Sequence, residues 1–126
     1  MRPPCELVVR YVLPTFRSLV AKELVEKYEL SQVAAAEKLG TTQAAISHYV
    51  YSKRGEKRMQ EFESAVQPTA SKVARGIANG KLSALDAMIM VCRLCVELRT
   101  KNAICELHKD TVSLPENCNM CLKNNP

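Results

Sequence analysis

Six cysteines lie in the chain, and five of them fall in its last third at a repeated interval. Cys92 and Cys95 stand three apart, as do Cys118 and Cys121, and between the two pairs Cys105 and His108 repeat the spacing. Residues three apart share one face of a helix, so each pair can offer two donors to one ion. Two such pairs complete the four ligands of a tetrahedral zinc site or of an iron–sulfur cluster. The expected metal set is Cys92, Cys95, Cys118 and Cys121, with Cys105, His108 and Cys5 as additional donors able to replace one of the four. Met90, Val91 and Leu94 give the first pair an apolar shell, and Val96 and Leu122 stand where zinc knuckles place Gly. These two features favour an iron–sulfur cluster, with zinc as the alternative. Core packing would explain Cys92 and Cys95 alone, but not the second pair in its polar setting.

The other chemistry-bearing stretch is 31–55, SQVAAAEKLGTTQAAISHYVYSKRG. It carries a short helix signal over Gln32–Leu39, a break at Gly40, two threonines, and a second helix signal from Thr42, which is a helix-turn-helix pattern. Ala36 is small where two helices must come closest, Gly40 suits a turn that needs positive φ, and Thr42 can cap the second helix. Leu39 and Ile46 supply the apolar pair that locks the helices together.

Three runs in this stretch resemble the DNA-binding domain of the XRE/Cro family. They are Leu30-Ser31-Gln32, Lys38-Leu39-Gly40-Thr41-Thr42-Gln43, and Ile46-Ser47 followed by Ser52-Lys53-Arg54-Gly55. The resemblance covers about half the chain, with one departure at Tyr49, where the family more often has an aliphatic residue. Pro3-Pro4-Cys5-Glu6 ahead of such a domain is also similar to a group of archaeal regulators. The resemblance implies that Gln43, Ala44, Ser47 and His48, opening the second helix, face the major groove of DNA. Gln43 can pair with adenine through its amide, Ala44 can meet a thymine methyl, and Ser47 and His48 can read a base or hold phosphate. Gln32, Thr41 and Thr42 would contact phosphate, and Lys53 and Arg54 would add salt-sensitive affinity. Each has a plain alternative: Thr42 caps a helix in any case, and a basic pair in a turn is often only solvated.

Helices must position both constellations. The chain has 126 residues, 47% hydrophobic but only 5% aromatic, with no Trp and no Asn-Gly or Asp-Gly between alternating runs, so an all-α fold is expected over a β-sandwich. Residues 3–13 read as a short first helix, and Pro14 opens a second with Phe16, Leu19, Val20 and Leu24 on one face. A segment with Met59, Phe62 and Val66 inward is expected to end before Pro68, and a new helix to span 69–79 with Val73 and Ile77 inward. Ser83 caps the most apolar helix, ALDAMIMVCRLCVELR. The expected division is 1–66, a helix-turn-helix domain of about five helices, and 67–126, a helical cysteine-rich metal-binding and dimerisation module. A helix as apolar as 84–98 predicts a homodimer built on it, which also suits reading an operator with inverted half-sites.

A net charge of +5 suits a polyanionic partner. The N-terminal apolar run is broken by Arg10 and lacks a small-residue cleavage site, and no run approaches ~18 apolar residues, so no membrane span is expected and a cytoplasmic location is. Reducing conditions there argue against a disulfide framework. No Ser/His/Asp set, paired carboxylates or phosphate loop accompanies the cysteines, and no β-α-β setting surrounds the first pair, so an enzyme is not expected. The expected function is a sequence-specific DNA-binding transcription regulator whose metal centre senses redox or iron state. The alternative is a helix-turn-helix adaptor with a structural zinc site that binds protein rather than DNA.

Overall fold

The computed structural model describes residues 3–51, 62–101, 104–105, 108–109, 113, 118–119 and 121. The described residues form an all-helical protein without strands. A rod of unbroken helical turns opens it: α1 (Pro4–Leu7), a π-helical stretch Val8–Val12, α2 (Leu13–Lys22), and a second π-helical stretch Glu23–Lys27. Then come α3 (Gln32–Leu39), α4 (Gln43–Tyr51), α5 (Glu63–Ala78) and α6 (Ala84–Thr100).

Pro14 stands in the first turn of α2, as its sequence context predicts, but no break precedes that helix and the rod runs through the proline. The turn ahead of it is widened, so the Leu13 N–H reaches back five residues to the Val8 carbonyl, and a proline that brings no N–H enters at the start of the α-helical register. The rod ends at Glu29, whose φ of 57° is left-handed, with the Leu30 N–H closing on the Leu24 carbonyl at 3.0 Å.

Pro68 is the second correction. It lies inside α5 instead of ending a helix before it. Both Pro68 and Ser64, whose carbonyl loses its partner, are exposed, so water can take the place of the missing donor. Val66, Ala70, Val73, Ala74 and Ile77 of the same helix are buried, and burial of that face holds the helix together across the proline. The 66/67 point therefore falls within α5. Beyond it, the Lys81 and Leu82 N–H groups both close on the Gly76 carbonyl, and a Cβ at residue 76 would collide with the Leu82 side chain. This turn fits over α5 only because residue 76 has no side chain.

α2 packs on α5 and α4, α3 packs on α4, and α5 packs on α6. One apolar cluster runs from Leu7 through Val20, Leu24, Ile46, Val66 and Val73 to Leu94, Leu98 and Ile104. Two polar links cross it. The Ser18 hydroxyl donates to the Tyr49 carbonyl at 2.9 Å, tying the rod to α4. Gln67 donates to Ser71, and Ser71 donates to Glu23 Oε1 at 3.0 Å, tying the rod to α5. No helix among the described residues is long and apolar enough to cross a membrane.

Candidate nucleic-acid interface and thiol cluster

The unit α3–α4 is built by local bonds that its residue types permit. The Ser31 side chain accepts from the Ala34 N–H at 3.1 Å and caps α3. Gly40 closes that helix at φ 70° and ψ 36°, in the left-handed region. The Thr41 N–H then bonds the Ala36 carbonyl at 2.9 Å, and Thr42 Oγ1 accepts from the Ala45 N–H at 3.2 Å to start α4. Ala35, Ala36 and Ile46 are buried, and Leu39 is half-buried against the core.

This burial turns the other face of α4 outward. Gln43, Ala44 and His48 are exposed, Ser47 is half-buried, and Thr41 and Thr42 are exposed just before them; Gln32 is half-buried in the first turn of α3. Lys53 and Arg54 lie outside the described residues. Tyr49, the departure from the family pattern, is half-buried against the core, and its carbonyl takes the Ser18 bond. The ring occupies space beside the seam without displacing Ile46.

α6 begins with a capping box. Ser83 Oγ accepts from the Asp86 N–H at 3.2 Å, and Asp86 Oδ2 accepts from the Ser83 N–H at 2.9 Å. The backbone bond from Ser83, reinforced by its hydroxyl, holds the Asp86 carboxyl below its ordinary value of 3.8. Ala84 meets the turn of the helix-turn-helix: a Cβ at Gly40 would stand 3.8 Å from that of Ala84. Ala87, Leu94 and Leu98 face inward, whereas Leu85, Met88 and Ile89 are 60%, 57% and 42% exposed, and Cys92 is exposed one turn further on.

The cysteines are only partly brought together. Arg99 is electrostatically coupled to Cys121 and Cys95, which sets α6 near the C-terminal segment. Burial works against the guanidinium charge, but the two sulfurs more than offset it and raise Arg99 above its ordinary value. Burial raises the Cys95 thiol above its ordinary 9.0; Arg99 opposes the shift, while Cys5 and Cys92 add to it. Cys5 on α1 and Cys92 thus belong to the same neighbourhood. Arg99 Nε itself is buried and has no hydrogen-bond partner among the described residues. Cys105 and His108 are half-buried one turn apart, the His108 N–H bonding the Ile104 carbonyl at 2.9 Å; Cys118 is half-buried. Among the described residues, no three Cys, His, Asp or Glu side chains stand in a metal-holding arrangement.

The residue that sequence reading missed is Arg99. Its signal was present, since Arg99 follows Cys95 by one helical turn and so must share its face. Compared with protein-family models, curated proteins and solved structures, the chain finds no match.

Proposed function

We propose that the protein is a sequence-specific DNA-binding regulator that reads the major groove with α4. The observation that carries this reading is the exposed start of α4 directly after the left-handed Gly40 turn, with Gln43, Ala44 and His48 free of cover. An amide at the first turn of such a helix is suited to adenine, and the preceding threonines to phosphate. The net charge of +5 agrees in sign.

Two further parts belong to the same reading. Leu85, Met88, Ile89 and Cys92 form an outward stripe at helical spacing on α6, which suits pairing with a second copy and hence an operator of two inverted half-sites. Cys92 and Cys95, with Cys121 and Cys118, hold a metal centre, an iron–sulfur cluster before zinc; the shared electrostatic coupling of Cys95 and Cys121 to Arg99 supports bringing the two pairs together. Loss or oxidation of that centre would alter α6 and through it the spacing of the two reading helices.

Selection from a random duplex library, followed by binding titrations at several salt concentrations, tests the reading. One enriched motif, a steep fall of affinity with salt, and a loss of about 1–3 kcal/mol in Gln43→Ala on that motif are expected. No enriched motif, or a Gln43→Ala variant that binds it unchanged, would refute groove reading by α4. Metal and sulfide content of protein kept free of oxygen distinguishes the centres: a brown protein with iron and sulfide, or a colourless one with zinc.

A further inference from the structure

Between the rod and α6 lies a groove of about 610 Å³ that shares only Thr41 with the DNA-reading residues. One wall is the rod, with Val9, Leu13 and Val20; the other is α6, with Val91; the end is closed by Tyr49 and by the Gly40 turn. Among the described residues that line it, Arg17 is the one charged residue, and it is exposed at the edge. The volume falls in the range of small-molecule sites, and an apolar trough with one cation at its edge fits a ligand with an apolar body and one negative end. Length selects the body. From Arg17 back to Val9 the rod advances about 12 Å at its rise per residue, about the span of a linear chain of ten carbons.

We infer that this groove binds a medium-chain fatty carboxylate, its alkyl chain laid between α2 and α6 and its carboxylate against Arg17. Charge complementarity selects this occupant over a second copy paired through the α6 stripe: Met88 and Cys92 of that stripe line the same groove, and neither they nor Leu85 and Ile89 carry an anion to meet Arg17. Because Leu39, Gly40 and Thr41 also line the groove, its occupant would touch the turn that sets the angle of α4. The inference is independent of DNA recognition, since binding can be measured with no DNA present.

The experiment is calorimetric titration of the full chain with decanoate, below its aggregation threshold, and with decanol, accompanied by an amide NMR shift map. Saturable binding of decanoate is expected, with decanol about tenfold weaker or more. Arg17→Gln, an exposed substitution that leaves the core untouched, should erase the preference for the acid, and Arg17→Lys should keep it. Shifts should centre on Leu13, Tyr49 and Val91. Absence of saturable binding, equal binding of acid and alcohol by the unaltered chain, or shifts confined to Leu85 and Ile89 would each overturn the assignment.

Discussion

Asp86 and Ser83 together hold the first turn of α6, and each makes a distinct prediction. Ser83→Ala removes the acceptor for the Asp86 N–H and should cost about 1 kcal/mol in urea unfolding, the usual worth of a cap. Asp86 is held below 3.8 in the folded protein, so its contribution is complete above that value and is lost as pH falls through the lower folded value. Urea midpoints of the unaltered chain should therefore fall more than those of Asp86→Asn as the solution is taken from about pH 5 to about pH 2. A parallel decline in both proteins would show that the bond to Ser83 does not form. The thiols differ in the same local sense. Cys92 is exposed, whereas Cys95 is half-buried and its thiol is raised mainly by burial, so in reduced, metal-free protein iodoacetamide should modify Cys92 well before Cys95. Equal rates, followed by mass spectrometry of the peptides, would contradict the half-burial of Cys95.

Among the elements, what could be read from residue order alone was what local bonds decide. Ser31, Thr42 and Ser83 are caps because a short side-chain oxygen beside its own backbone needs no distant partner, and Gly40 ends α3 because it alone accepts the left-handed turn without strain. The continuity of helix across the two prolines was not foreseen, because their effect depends on what surrounds them. A widened turn ahead of Pro14 and a buried face along α5 around Pro68 are tertiary facts, and they override the local tendency to stop. The candidate site divides in the same way. The outward residues of α4 were read from the resemblance to the XRE/Cro runs, but the coupling of Arg99 with Cys121 depends on a segment remote in sequence. The end of the rod was not legible either, since Glu29 takes a left-handed conformation that favours glycine. Glu29→Gly should relieve that strain and raise stability by up to about 1 kcal/mol, offset in part by the greater freedom of the unfolded chain. A lowered melting temperature in this variant would mean that the Glu29 side chain contributes more than the strain it imposes.

For the molecule as a whole, the stripe Leu85, Met88, Ile89 and Cys92 sets the expected state of association. Ile89→Glu places a charge at the centre of that stripe without touching the inward Ala87 or Leu94, so sedimentation should show the dimer replaced by a monomer of unchanged helix content. If the unaltered chain is itself a monomer at all concentrations, the stripe has another use and the two-half-site operator falls with it. One consequence of the continuous cluster from Leu7 to Ile104 concerns how the protein comes into being. The rod precedes α5 in the chain, yet much of its apolar side is covered by α5. The nascent chain must therefore carry a bare greasy rod until residues 63–78 have left the ribosome.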